Sequence, residues 1–255
     1  MCELLGLCFN QPALPSLSFR GFRRRGRDNP HGWGVAAFAG GAAQVFKEPA
    51  GAADSRLAEF VRGYAGLRSR VLIGHVRRAS VGQQVLADTH PFAREVGGRD
   101  LVLAHNGTLE RERLVSRLDG FFTPVGGTDS EAALCALATW LTDQRMPFEA
   151  FGRLHGWLRE INPCGTMNLL FSEGRRLYAY HDAGGYNGLW HVRRHPPYVR
   201  VVLRDDDWEV DLGAEKDPGQ RGYVVATQPL TDERWEALAP GALVVFEGGD
   251  IVYPT

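Results

Sequence analysis

A cysteine follows the first methionine directly, in the opening segment MCELLGLCFN. Removal of Met1 would leave Cys2 with its thiol and a free α-amine on one residue. Because an α-amine has an ordinary pKa of about 7.7–8.0, part of it is neutral near pH 7 and can act as a base for the neighbouring thiol. The arrangement predicts an N-terminal nucleophile. The alternative is that Cys2 is a small buried residue, as most cysteines are.

Four further segments carry polar residues of the types used in catalysis or substrate binding. Arg77 follows the apolar run VLIGHV, His90 lies in DTHPF, Asn106 and Gly107 lie in LAHNGTL, and Asp129 lies in GGTDSE. Each has an ordinary structural explanation: an ion pair, a loop histidine, a turn at Asn-Gly and a helix N-cap. Taken singly, none of them predicts a function.

The elements that must position these residues can be predicted from apolar periodicity. Period-two alternation and short apolar runs predict strands in ELLGLCF, GWGVAAFAG, AAQVFKEP, DLVLAHNG, TMNLLFSE, RRLYAYHD, GLWHVRR, YVRVVL, WEVDL, GYVVATQPL and GALVVFEGGDIVY. The nearly all-apolar RVLIGHV predicts a short strand that is buried on both faces. Helical spacing predicts helices in SRLAEFVRGYAG, TDSEAALCALATWLTDQ and PFEAFGRLHGWLREINP. Strands do not alternate strictly with helices, so the pattern indicates an α+β protein with antiparallel sheets. With no internal repeat or low-complexity linker, we expect one domain over residues 1–255.

One early segment, PALPSLSFRGFRRRGRDNPHG, has no clean period and is rich in Pro, Arg and Gly. It predicts a long loop, a kind of segment that is often functional in compact proteins. Its arginines between Arg20 and Arg27 are expected to form a solvated surface, a lid over an acidic substrate, or a partner-binding patch.

Composition limits the classes of function that remain. The 255 residues are 44% hydrophobic and 23% charged, and the formal net charge is -1. A near-neutral chain without a stacking-aromatic motif does not favour nucleic-acid binding. We expect no membrane span, since no apolar stretch reaches about 18 residues, and a cytoplasmic location, since no secretory signal is visible. The cysteines, at 2, 8, 135 and 164, form no C-x-x-C pair, so reduced thiols and no zinc site are expected.

The order of the motifs resembles the class II, N-terminal-nucleophile glutamine amidotransferases. That family carries a terminal Cys, a GHxR strand, a T-x-HP-like turn, an HNG turn and a TDSE-like helix start, and all five have counterparts here. The segments HGWG and ATQPLT are similar to its stand-alone subgroup, in which the amidotransferase domain is the entire chain and some relatives hydrolyse γ-glutamyl compounds. The resemblance implies a four-layer α/β/β/α sandwich with two stacked antiparallel sheets.

The resemblance also implies a role for each motif residue. Cys2 would attack the γ-carbonyl of glutamine or a γ-glutamyl group, and Asn106 and Gly107 would hold the developing oxyanion. Arg77 would bind the substrate α-carboxylate and Asp129 its α-ammonium. Further substrate-binding predictions are Ser80, His90 and Thr128. No metal and no organic cofactor is expected.

The chain departs from the large synthases of this family after Arg77. Those enzymes carry an aromatic residue and a Thr-His pair, where this chain has Arg78, Ala79, Ser80 and Val81. A chain ending at Thr255 leaves no room for a synthase domain, so we expect either a separate partner chain that accepts ammonia, or hydrolysis by water. The alternative function is a non-catalytic subunit that binds a γ-glutamyl metabolite.

Overall fold

The structure is a computed structural model that describes residues 2–25, 27–78, 83–204 and 209–254. Within them the strands are β1 (Glu3–Ala13), β2 (Trp33–Ala39), β3 (Ala42–Glu48), β4 (Ser69–Val76), β5 (Phe92–Val96), β6 (Arg99–Leu109), β7 (Gly165–Ser172), β8 (Arg176–Tyr180), β9 (Trp190–Arg194), β10 (Arg200–Val202), β11 (Glu209–Asp211), β12 (Gly222–Ala226), β13 (Glu236–Ala237), β14 (Leu243–Glu247) and β15 (Asp250–Tyr253). The helices are α1 (Ser16–Arg25), α2 (Arg56–Gly63), α3 (Arg111–Val115), α4 (Asp129–Asp143), α5 (Phe151–Ile161) and α6 (Leu212–Glu215). Over the same residues, every helix is too short or too polar to cross a bilayer.

In the described part of the chain, the strands form two large antiparallel sheets and a short β10–β11 ribbon. The first sheet has the order β13-β9-β12-β1-β4-β2-β3, and the second has the order β15-β14-β8-β7-β6-β5. The first strand of the chain is therefore central in its sheet, between β12 and β4. Cys2 therefore directly precedes a strand that is hydrogen-bonded to a neighbour on each side.

Side-chain alternation along β1 shows how the layers stack. Leu5 and Leu7 pack with Phe22 of α1 and Ala58 of α2, whereas Leu4 packs between the sheets. The other face of the second sheet packs against α3, α4 and α5. Since successive residues of a strand point to opposite faces, each sheet buries both of its surfaces. The layers are thus helix, sheet, sheet, helix, which confirms the predicted four-layer sandwich.

The early Arg-rich segment is the largest error of the sequence prediction. It was predicted as a long loop, but it forms α1, which buries Phe22 against the first sheet. Gly21 lies mid-helix, where a Cβ would come within 3.1 Å of Leu203. Glycine disfavours an isolated helix, so local propensity hid an element that tertiary packing stabilises. The sequence analysis also missed β5, α3, α6 and β13, and it began α5 too early, near Pro147.

Candidate active site

Strand alternation brings Cys2 and Asn106 to the same end of the layer between the sheets. Leu4 faces this layer from β1, and Cys2 precedes it by two residues; Ala104 faces it from β6, and Asn106 follows by two. The contact is direct, because the Asn106 side chain donates an Nδ2 hydrogen bond of 2.5 Å to the carbonyl oxygen of Cys2. Two motifs that lie 104 residues apart in the chain therefore meet at one place.

The Cys2 thiol is partly exposed and lies against the backbone of Arg78. Its Sγ accepts a hydrogen bond from the Arg78 N–H at 3.2 Å and lies 3.2 Å from the Arg78 carbonyl oxygen. Burial raises the pKa of the Cys2 thiol, while the Arg78 N–H and the charge of Arg77 act in the opposite direction. A thiol with a raised pKa is protonated near pH 7, so nucleophilic attack requires a base.

Arg77 is held beside this thiol by backbone pairing and by a chain of loop contacts. Its N–H donates to the Gly32 carbonyl at 2.7 Å, and its Nη1 donates to the Gln83 carbonyl at 2.8 Å. The Gln83 N–H in turn donates to Asp88 Oδ2, and Asp88 Oδ1 accepts the Gly127 N–H at 2.7 Å. Buried Asp88 thus links the Arg77 loop to the segment that leads into α4. The predicted Ser80 lies outside the described residues.

Asp129 and Thr128 form the N-terminus of α4. Asp129 Oδ2 accepts the Leu109 N–H of β6 at 2.7 Å, and its Oδ1 accepts the Ser130 N–H at 2.9 Å. The Thr128 hydroxyl caps the helix by accepting the Glu131 N–H at 3.2 Å. These bonds fix the Asp129 carboxylate beside the end of β6, three residues after Asn106. Oδ1 also accepts the Ser130 hydroxyl at 3.4 Å, whereas Oδ2 accepts one described hydrogen bond and retains a lone pair that can accept from an ammonium group.

Gly107 has a backbone conformation and surroundings that exclude a side chain. Its φ is +155°, and a Cβ would collide with the Thr166 carbonyl oxygen and lie 2.6 Å from His105 Nε2. The Asn-Gly pair therefore lies within β6 as part of a strand, not in the tight turn that its sequence suggests. Asn106 is paired across to Asn168 of β7.

His90 is packed as an aromatic ring in a buried histidine cluster. It is 4% exposed, stacks on His75 with ring centroids 4.0 Å apart, and lies 4.6 Å from the Phe92 ring. Neither of its ring nitrogens has a hydrogen-bond partner among the described residues. Burial lowers the pKa of His75 to about 3 and that of His90 well below its usual range. Its substrate-binding role remains a prediction.

The buried histidines predict a specific pH dependence of stability. The pKa values of His75 and His90 in the folded state lie below the unfolded value of about 6.5. Their contribution to the free energy of unfolding is therefore fully present above pH 6.5 and is lost as the pH falls below that value. Replacing His90 with Phe removes one such group, and the slope of unfolding free energy against pH between 6 and 4 should become shallower by up to about 1.4 kcal/mol per pH unit.

Urea titrations at a series of pH values measure this slope for His90→Phe. Substitution of the exposed His195 by Phe provides the control for loss of a surface histidine. At pH 7 we expect His90→Phe to be as stable as the parent, because no hydrogen bond within the described structure is lost. An unchanged slope would show that His90 is protonated with equal ease in both states.

The loop DAGGYNG, for which the sequence predicted no role, brings Tyr186 close enough to Cys2 for the two side chains to interact electrostatically. Asn168 Nδ2 donates to the Tyr186 carbonyl at 2.8 Å, and Asp182 Oδ2 accepts the Tyr186 N–H at 3.2 Å. Burial raises the pKa of the Tyr186 phenol, and the nearby Cys2 raises it further. Asn187 follows with φ +55° and a buried Nδ2 that has no partner among the described residues. The sequence signal for this loop is the cluster of Asp, Gly and Asn residues that follows the apolar strand β8.

The ATQPLT segment and α1 brace the start of β1. Thr227 Oγ1 accepts the Leu4 N–H at 2.7 Å. Arg25, in the last turn of α1, contacts Glu3 at 3.3 Å and donates to the Pro229 carbonyl at 2.8 Å. Glu3 and Leu4, the first two residues of β1, are therefore held by partners from distant parts of the chain.

A thiol at the start of a central strand, in a four-layer sandwich of antiparallel sheets, is the arrangement of N-terminal-nucleophile amidotransferases. The family of class II glutamine amidotransferases matches residues 1–255, and the chain belongs to this family.

Several relatives match nearly all of this chain. An uncharacterized protein of Methanocaldococcus jannaschii is 39% identical over 99% of this chain and 71% of its own length. YafJ of Escherichia coli K12, a candidate glutamine amidotransferase, is 37% identical over 99% of this chain and its full length. The crystal structure of a predicted glutamine amidotransferase from Pseudomonas aeruginosa PA01 is 33% identical, with a TM-score of 0.71, over 98% of this chain and 99% of that one.

A more distant structure supports the fold alone. The phosphoribosylpyrophosphate amidotransferase of B. subtilis is 18% identical, with a TM-score of 0.65, and the match covers 98% of this chain and 48% of that one. The predicted family and fold are both confirmed by these comparisons. The roles of individual site residues remain predictions.

Proposed function

We propose that the protein cleaves the γ-amide bond of glutamine or of a γ-glutamyl conjugate through a Cys2 thioester. Two observations carry this proposal: the Asn106 amide is hydrogen-bonded to the Cys2 carbonyl, and the Cys2 thiol lies against the Arg78 backbone, next to Arg77, whose charge acts on the thiol. The function also requires removal of Met1, since the α-amine of Cys2 is the base. It acts directly or through one water molecule.

In the first half of the reaction, the amine takes the thiol proton while the sulfur attacks the γ-carbonyl carbon. The carbonyl oxygen becomes an oxyanion, which the Asn106 Nδ2 group and the Gly107 N–H stabilise. Asn106 Nδ2 carries two hydrogens, and the one not given to the Cys2 carbonyl can be donated to the oxyanion. The ammonium then gives its proton to the leaving nitrogen, the C–N bond breaks, and ammonia or an amine departs.

In the second half, water attacks the thioester carbon and the amine accepts a proton from it. The same donors hold the second oxyanion, the C–S bond breaks, and the sulfur recovers its proton as glutamate leaves. The raised pKa of the Cys2 thiol agrees with a resting state in which the proton is on sulfur. Throughout, Arg77 binds the α-carboxylate and Asp129 the α-ammonium, so the head group is held by two opposite charges.

The proposal is tested by measuring glutamate release from glutamine and from γ-glutamyl dipeptides, on protein whose first residue is shown by mass spectrometry to be Cys2. We expect turnover of at least one of these substrates. Binding of both without release of glutamate would instead support the alternative, a non-catalytic subunit that binds γ-glutamyl metabolites. If a separate protein chain accepts the ammonia, we expect glutaminase activity to rise when that chain is added.

Arg77→Lys tests the predicted contact with the substrate α-carboxylate. Lysine keeps the charge but cannot form the two parallel hydrogen bonds of a guanidinium. Losing one charged hydrogen bond of about 1.5–3 kcal/mol should raise KM by about 10- to 100-fold with a smaller change in kcat. Steady-state kinetics on the better substrate measure both parameters. An unchanged KM would show that Arg77 does not hold the carboxylate.

A further inference from the structure

A cavity of about 360 Å³ lies on the outer face of the molecule, between α1 and α2. Among the described residues that line it, four are arginines and one is acidic: Arg20, Arg24, Arg27, Arg62 and Glu59, with Ala53 completing the lining. Arg20 and Arg24 are one helical turn apart on α1, so they share a face of that helix. Arg27 follows in the terminal turn, where its N–H donates to the Arg24 carbonyl at 3.0 Å.

The arginines that line the cavity come from two separate helices, α1 with its terminal turn and α2. Their grouping is therefore not simply the charged face of one helix. Cations near the C-terminus of α1 compensate its dipole, and this accounts for Arg24 and Arg27. Arg62 lies likewise in the last turn of α2, where it contacts Glu59 at 2.6 Å, but the dipole does not account for Arg20, in the middle of α1. The lining set carries a formal charge of +3 in a chain whose net charge is -1.

We propose that this cavity is a binding site for a small molecule that carries a phosphate or diphosphate group. Planar guanidinium groups bind phosphate oxygens through paired hydrogen bonds, and several of them around one concave site match a ligand with at least two negative charges. The volume lies at the lower end of the usual range for small-molecule sites, about 300–1,000 Å³. A concave site of this size favours a small ligand over a polynucleotide, which needs an extended basic surface.

The site is connected to the nucleophile's strand through a neighbouring residue of α1. Arg25, between two lining arginines, contacts Glu3, the residue after Cys2. It also donates to the carbonyl oxygens of Gln228 and Pro229. A ligand that orders α1 would therefore stabilise the segment that braces the start of β1, and its binding is measurable without any assay of turnover.

Isothermal titration of the full chain with inorganic pyrophosphate, and separately with inorganic phosphate, at constant ionic strength tests the proposal. We expect one saturable site per chain, with pyrophosphate bound more tightly than phosphate. Arg24→Gln and Arg62→Gln should each weaken pyrophosphate binding by about 10-fold or more, since each removes a charged hydrogen-bond donor. Arg153→Gln, on the exposed face of α5 in the opposite helical layer, is the matched control and should bind as the parent does.

Thermal melting followed by circular dichroism shows whether a variant that does not bind is still folded. Because one variant lies on α1 and the other on α2, the test stays valid if one of the two proteins is unstable. The proposal is overturned if pyrophosphate shows no saturable binding. Equal binding by the parent and by both cavity variants would also overturn it, and so would binding of RNA in the absence of pyrophosphate binding. Failure here would leave the proposed amide cleavage untouched, because that reaction is assayed without phosphate compounds.

Discussion

Cys2→Ala is expected to lower the turnover of the γ-glutamyl substrate to below about 1% of the parent, because it removes the atom that forms the thioester. The fold should be retained, because Cys2 is partly exposed and its side chain contacts only the Arg78 backbone among the described hydrogen bonds. We expect a change in unfolding free energy within about 1 kcal/mol. Glutamate release and urea denaturation of the same preparation measure both effects.

The matched control for this variant is Cys8→Ala, on the same strand. Cys8 faces the same inter-sheet layer but is completely buried, and burial raises the pKa of its thiol to about 11. This substitution removes packing from the core and should cost stability while leaving catalysis in place. If Cys2→Ala retained more than about 1% activity, the nucleophile would have to be sought elsewhere.

A chain with one extra residue ahead of Cys2 is expected to be as inactive as Cys2→Ala. The thiol, the Arg77 guanidinium and the Asn106 amide would all be present, but the nitrogen of Cys2 would be an amide, which cannot act as a base. Placing Lys between Met1 and Cys2 blocks the amine in the same way, with Met and Lys both ahead of the cysteine, because a large second residue prevents removal of the methionine. Intact-mass measurement confirms the N-terminus before turnover is assayed.

Rescue separates this effect from simple steric blocking. A cleavable leader that ends immediately before Cys2 should give an inactive protein that gains full activity on cleavage. Activity of the uncleaved chain equal to that of the mature one would show that the base is a side chain or a bound water, and that the α-amine is not required.

The positions of Cys2, Arg77 and Asn106 were predictable because each lies in or next to a segment whose apolar residues predict a strand. Alternation along β1 and β6 determines which side chains face the layer between the sheets. The order of the motifs along the chain is what resembles the family. The layering of the sheets could not be predicted from periodicity alone, since an apolar strand does not reveal what covers it. That information came from the resemblance.

The contacts that position the site residues could not be predicted from the sequence. Asp88 accepts hydrogen bonds from Gln83, 5 residues away in the chain, and from Gly127, 39 residues away. Tyr186, in a loop after β8, interacts electrostatically with Cys2. Such contacts depend on tertiary placement of irregular segments, for which the chain has no periodic signal. The family resemblance predicts a substrate-binding role for His90, and the stacking of this residue in a buried histidine cluster could not be predicted from the sequence.

The most direct test is covalent labelling by a glutamine analogue that bears an electrophile at the γ-position, followed by mass spectrometry of the N-terminal peptide. The account predicts one label per chain, on the sulfur of Cys2, in chains that have lost Met1 and not in those that keep it. Protection by glutamine or a γ-glutamyl peptide should follow. Labelling of Cys8, Cys135 or Cys164 with Cys2 unmodified, or full turnover by protein whose Cys2 cannot be labelled, would contradict it.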